Sequence, residues 1–144
     1  MEKYIDATQD AGKLFYQNFH DKGKIVMLNM LKFKAQADYT HLGNIAPKQA
    51  ISGKEAYQLY MDHVRPLLDK AGSRVLFYGA SSNYLIGPSQ EKWDAVLLVE
   101  HASVAEFMAF AQNEDYLKHI GHRTAALEDA RLLPITEMQE EVKM

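Results

Sequence analysis

Residues 25–33 read I-V-M-L-N-M-L-K-F, and this stretch decides the fold. It is bounded by Gly23 on one side and by a polar stretch after Lys34 on the other. A short apolar run between such limits reads as a buried strand. Side chains alternate along a strand. Val26, Leu28 and Met30 therefore point one way, and Ile25, Met27, Leu31 and Phe33 the other. Both sides are apolar, whereas a sheet with one wet face alternates apolar with polar. Residues 93–100, W-D-A-V-L-L-V-E, repeat the pattern: Trp93, Ala95, Leu97 and Val99 oppose Val96 and Leu98. Each face of this sheet needs a cover.

Helices supply the first cover. Ser52 and Glu55 have the spacing of a capping box. They open a helix whose apolar stripe is Ala56, Tyr57, Tyr60, Met61, Val64, Leu67, Leu68 and Ala71. Gly72 ends it, and Pro66 within it is expected to kink it. Residues 74–80, R-V-L-F-Y-G-A, form a second strand, which Tyr84 to Ile86 extend or return. Ser103 and Glu106 form a second capping box before Val104, Phe107, Met108 and Phe110. A further helix begins at Asn113 or Glu114, bends at Gly121 and resumes with Thr124, Ala125 and Leu127. Residues 132–136 are the last strand. Upstream, residues 6–19 read as a short helix capped by Asp6 or Thr8. Residues 35–51 form a loop long enough to suggest a lid or binding loop.

After the N-terminal helix the order is β-α-β-β-α-β, the ferredoxin-like α+β arrangement with two helices on one sheet face. The second face is expected to meet a second copy of the chain, which makes a homodimer. The alternative is that the N-terminal helix folds across it. The expected organisation is one domain over residues 1–144, with 1–22 as a helical extension and 137–144 as a frayed tail.

Composition narrows function by exclusion. The chain has 144 residues, of which 47% are hydrophobic and 24% charged, and no cysteine. Disulfides, thiolate metal sites and cysteine nucleophiles are therefore absent. The formal net charge is −3 with no basic stripe, which argues against nucleic acid. No apolar run approaches the ~20 residues that span a bilayer, and residues 1–10 do not read as a signal peptide. A cytoplasmic protein with no nucleic-acid or membrane partner is expected. G-x-S-x-G, P-loop, G-x-G-x-x-G and EF-hand patterns are missing, and no motif calls for a cofactor.

Several stretches carry a resemblance. V-M-L-N-M-L-K-F is followed by I-S-G-K-E-A-Y-Q-L-Y and R-V-L-F-Y-G, and W-D-A-V-L-L-V-E-H-A-S-V-A-E-F by H-R-T-A-A-L-E-D-A-R-L-L-P. Together, over roughly residues 25–135, they resemble the domain-of-unknown-function family 1330, which is similar to the dimeric α/β-barrel superfamily. The resemblance implies a ferredoxin-like fold and a sheet-to-sheet dimer. It implies no reaction. Relatives by fold include cofactor-free monooxygenases, haem-handling enzymes, muconolactone isomerase-like proteins and ligand sensors, among which fold does not choose.

Asn29 is the sharpest single signal, the one uncharged polar residue in an apolar strand. A buried amide without partners costs about 1–3 kcal/mol. It is either a donor facing a pocket or an amide tied to neighbouring backbone. His122 and Arg123 are adjacent, a proton exchanger beside an anion clamp. The rival reading pairs Arg123 with Glu128 or Asp129. Asp94 is a candidate base and Trp93 a candidate pocket wall, against a strand-start aromatic with a solvated acid. Tyr57 and Tyr60 on the long helix either line a pocket or fill the core, and His63 on its polar flank reads as exposed. Arg74 and Lys32 are strand-end cations, and Gly79 suggests a bulge or a close approach. His119 and His122 have a spacing that metal pairs use, but no H-E-x-x-H is present and Gly121 lies between them, so the reading is no metal. The working expectation is a small-molecule pocket lined by Asn29, Tyr57, Trp93, His122 and Arg123. Its chemistry would be cofactor-free proton transfer or oxygen chemistry on a compact aromatic or carbonyl compound. The rival is a non-catalytic, dimeric ligand-sensing or stress-associated module.

Overall fold

A computed structural model of the chain describes residues 2–139. Its elements are α1 (Gln9–Phe19), β1 (Ile25–Phe33), α2 (Gly53–Lys70), β2 (Arg74–Ala80), β3 (Ala95–His101), α3 (Val104–Ala111), α4 (Glu114–Ala126) and β4 (Leu127–Ile135). The strands form one antiparallel sheet in the order β2-β3-β1-β4. This is the ferredoxin-like fold.

The β1–β3 register sorts the two faces. Met27 lies opposite Val99, Asn29 opposite Leu97 and Leu31 opposite Ala95. Leu31, Ala95, Leu97 and Val99 pack against Ala56, Tyr57, Tyr60, Met61, Val64 and Leu68 of α2. The capping box at Ser52 is complete: Glu55 N–H donates to Ser52 Oγ, and Ser52 N–H donates to the Glu55 carboxylate. The helix then runs unbroken through Pro66 to Lys70.

The N-terminal helix does not cover the second face. Phe15 and Phe19 of α1 pack on Ile25, Met27 and Val104, at the end of the helix-bearing side. Ile25 and Met27 share their face with Leu31. Thr8 caps α1 by accepting from Ala11 N–H. On the opposite face Val26, Leu28, Met30, Val96 and Leu98 are half-buried, and Phe77 and Leu133 are exposed. The apolar second face is open in a single chain.

Four local expectations change. β4 begins at Leu127, not Leu132, because pairing with β1 overrides the helix propensity of A-A-L-E-D-A. Gly121 does not bend α4, which is continuous; its missing Cβ leaves room for Ile45. At Ser103 only half of the capping box forms: Ser103 Oγ accepts from Glu106 N–H. The β2 bulge lies between Val75 and Phe77, while Gly79 makes room for the Phe77 ring. Of the tail, residues 137–139 are irregular, and residues 140–144 lie outside the described residues.

Candidate functional site

An open cleft of about 510 Å³ lies where β1 leaves the sheet, β2 ends, β3 begins and α2 starts. Phe33, Lys34, Ser52, Lys54, Tyr78, Gly79, Ala80, Asp94 and Ala95 line it. Its size falls within the range of small-molecule sites. Next to it backbone bonds anchor the start of α2: Gly53 N–H donates to Lys34 O at 3.0 Å, and Lys34 N–H donates to Ala126 O at 2.8 Å. Lys34 and Lys54 make the walls attractive to negative charge, while Gly53 N–H and Glu55 N–H at the start of α2 are already taken by Lys34 O and Ser52 Oγ. Asp94 is the acid of the cleft, and its Oδ2 accepts from Phe33 N–H at 2.8 Å. Burial pushes the Tyr78 phenol up, so it stays a neutral hydroxyl.

Asp94 is the expected site residue that lines this cleft. Asn29, Tyr57, Trp93, His122 and Arg123 do not line it. Asn29 takes the helix side, in register with Met27 and Leu31, and its Nδ2 donates to Met27 O at 3.3 Å and Leu97 O at 3.2 Å. Those bonds tie it to backbone. Tyr57 is core, packed between Phe33, Tyr60 and Tyr78. Tyr60 shares a hydroxyl hydrogen bond of 2.9 Å with Tyr116. Burial raises both phenols, Tyr57 and Tyr60, so neither is poised as an acid.

The remaining candidates have partners elsewhere. Trp93 is buried, donates from Nε1 to Tyr84 Oη at 2.8 Å and lies under the Arg131 guanidinium. Arg74 is exposed and pairs with Glu100 at 3.0 Å. Arg123 reaches Asp6 at 3.6 Å. It does not take Glu128, which holds Lys3, or Asp129, which holds Arg131.

His122 belongs to a second cluster, on the seam between α2 and α4. His63 stacks on His119 with centroids 3.9 Å apart and planes 5° from parallel. His122 lies 5.7 Å from His63 and is also nearly parallel. Its Nδ1 bonds the Tyr39 hydroxyl at 2.7 Å. Burial, then the neighbouring His63, holds His119 and His122 below the ordinary imidazole range. His119 and His122 were visible as a pair in the sequence. Their third member was not, because it comes from another helix.

A family model described as Domain of unknown function (DUF1330) matches residues 45–137. No curated protein matches the chain. Among solved structures, a protein of unknown function from Rhodopseudomonas palustris, RPA0582, is 31% identical, with a TM-score of 0.81 over 96% of this chain and 100% of that one. The methylated RPA0582 protein is 32% identical, with a TM-score of 0.83 over 96% and 98% of the two chains. The chain belongs to the DUF1330 family.

Proposed function

We propose that this DUF1330 member is a dimeric small-molecule-binding protein whose ligand site is the cleft at the start of α2. The cleft itself carries this reading: two lysines, Lys34 and Lys54, and two aromatic residues, Phe33 and Tyr78, line the same space of about 510 Å³. That lining suits a compact aromatic compound with a carboxylate or carbonyl group, the ring against the aromatics and the oxygen toward Lys34 or Lys54. One ferredoxin-like unit spanning the chain provides the scaffold. The second copy closes the open face of Val26, Leu28, Met30, Val96 and Leu98, since an isologous sheet-on-sheet contact buries the same patch on both chains.

NMR titration with benzoate and benzaldehyde tests the site. Amide shifts are expected to cluster at Phe33–Lys34, Gly53–Lys54 and Tyr78–Ala80. Lys54→Ala is expected to weaken benzoate binding by about tenfold, the size of one charge-assisted contact. Shifts that map elsewhere, or affinity indifferent to Lys34→Ala and Lys54→Ala, would sink the reading.

A catalytic version rests on Asp94. A carboxylate that shares a cleft with two lysines suits removal of a proton from carbon next to a carbonyl, with the lysines steadying the enolate oxygen. Solvent deuterium entering the methyl group of acetophenone, lost in Asp94→Asn, separates this version from plain binding. Asparagine keeps an oxygen for Phe33 N–H and removes only the base.

A further inference from the structure

The histidine seam carries chemistry that the cleft does not use. His63 is on the exposed flank of α2, His119 and His122 are three apart on α4, and one ring nitrogen from each lies within 4.8 Å of the other two. We propose that His63, His119 and His122 form a three-histidine site for a divalent transition-metal ion of the zinc class, with its fourth position open to solvent beside His63.

Three observations support it. First, the ligand set is chemically apt. Neutral imidazoles are zinc, copper and nickel ligands, and three of them plus one open position is the make-up of catalytic zinc sites. Second, among the described residues His119 Nδ1 is the buried side-chain nitrogen with no hydrogen-bond partner. Native structures rarely leave such an atom unsatisfied, and a bound ion is one of the ordinary explanations. Third, His122 has the outer support that metal-binding histidines have. Tyr39 Oη sits 2.7 Å from its Nδ1. With Nδ1–H donating to that oxygen, the Nε2 lone pair is free for a metal.

The stacked rings are close to this arrangement but not in it. Zinc–nitrogen bonds of 2.0–2.1 Å place tetrahedral ligand atoms about 3.3 Å apart, and parallel rings do not aim their lone pairs at one point. Metal binding therefore requires His63 and His119 to turn about χ2, a torsion with a broad, shallow profile. Asp115 and Lys118 are the charged neighbours of His119 on α4, and they act on it in opposite senses.

Isothermal titration calorimetry of tag-free, chelator-stripped protein with Zn²⁺ tests the proposal. One ion per chain is expected, with a Kd of about 10 μM or tighter. His63→Ala and His119→Ala are each expected to weaken binding at least tenfold, and Tyr39→Phe by about tenfold through loss of outer support. His20→Ala, at the C-cap of α1 and outside the cluster, serves as the unaffected control. Should His119→Ala fail to fold, His63→Ala decides, because that side chain is exposed. No binding at about 100 μM Zn²⁺, or binding undiminished in His63→Ala, overturns the site.

Discussion

Gly12→Ala and Gly53→Ala should move stability in opposite directions, although both put a methyl group into a helix. A Cβ at Gly12 meets nothing within 4 Å. Alanine there gains helix propensity and removes chain entropy from the unfolded state, a stabilisation of about 0.5–1 kcal/mol. A Cβ at Gly53 would lie 2.2 Å from Lys34 O, 2.6 Å from Ala126 O and 2.7 Å from Lys34 N. All three neighbours are backbone, so none can swing aside as a side-chain tip does. Relief requires α2 to back away by about 1 Å, which strains the Gly53–Lys34 hydrogen bond. Overpacking costs about 1–3 kcal/mol, and one weakened hydrogen bond adds about 1 kcal/mol. Against a propensity gain below about 1 kcal/mol, the net loss is about 1–3 kcal/mol. Urea denaturation at one fixed protein concentration reads both variants, since a dimer's midpoint depends on concentration. Gly121→Ala is the internal scale. Its Cβ would meet Ile45 Cδ1 at 2.3 Å, a flexible side-chain end, so its cost should stay below about 1 kcal/mol. A Gly53→Ala midpoint indistinguishable from wild type would refute the steric argument.

Three further outcomes are expected. His101 is buried against Ser73 Oγ at 2.8 Å, and desolvation holds its pKa down to about 4 against 6.5 when unfolded. The unfolded chain therefore takes the proton first: stability should be flat above about pH 7 and fall between 6.5 and 4, by at most about 3 kcal/mol. In His101→Leu that part of the slope should vanish from a pH series of urea melts. Leu28→Glu, on the open face, should turn a dimer into a monomer of 16.4 kDa by light scattering, because a carboxylate has no partner in an apolar seam; a wild-type chain already at that mass would end the dimer argument. Asp129→Ala should cost about 2–3 kcal/mol in thermal or urea melts, since it strips Arg131 and Tyr4 N–H of their acceptor. Burial alone would raise the Asp129 carboxyl, but the Tyr4 N–H and Arg131 outweigh it and hold it low. Its contribution is therefore complete above the unfolded carboxylate range and is lost as pH falls below it.

The sheet was legible because its information is local and repeated. Two-faced apolarity in residues 25–33 and 93–100 fixed β1 and β3, and the capping box at Ser52 fixed the start of α2. The start of β4 was hidden because A-A-L-E-D-A suits a helix, and only ladder pairing with β1 pulls Leu127 and its successors into the sheet. Gly121 was expected to bend its helix and instead clears space for Ile45, a neighbour from a distant loop that no local pattern contains. Gly79 was expected to mark a bulge or a close approach, and the close approach is that of the Phe77 ring.

The candidate sites were less legible, since they assemble residues distant in the chain. Asn29 stood out as polar among apolar residues, yet two backbone carbonyls satisfy its donors. Lys34 and Lys54 carry no local signal because lysines are common near the surface, and their meaning comes only from sharing a cleft. His63 lies one residue from the buried Val64 on α2. That position places it on the edge of the α4-facing stripe, a signal that becomes readable once α2 and α4 are known to pack.

Both sites hang on α2, which allows them to be separated experimentally. Gly53 sets the helix start against Lys34 and Ala126, and so sets the cleft. His63 follows ten residues later, about 15 Å along the axis at 1.5 Å per residue. A side chain in one site does not touch the other, so Lys54→Ala should leave Zn²⁺ binding unchanged and His63→Ala should leave benzoate binding unchanged, as expected for uncoupled positions. A backbone perturbation is different. Backing α2 away from Lys34 moves Ser52 and Lys54 in the cleft and carries His63 along α4, because a packed helix shifts largely as a rigid body. Gly53→Ala, studied at a temperature where it remains folded, should therefore weaken both ligands at once. Loss of benzoate with Zn²⁺ intact would mean that the strain is absorbed in the first turn, and that Pro66 and the α4 contacts, rather than the capping box, hold His63 in place.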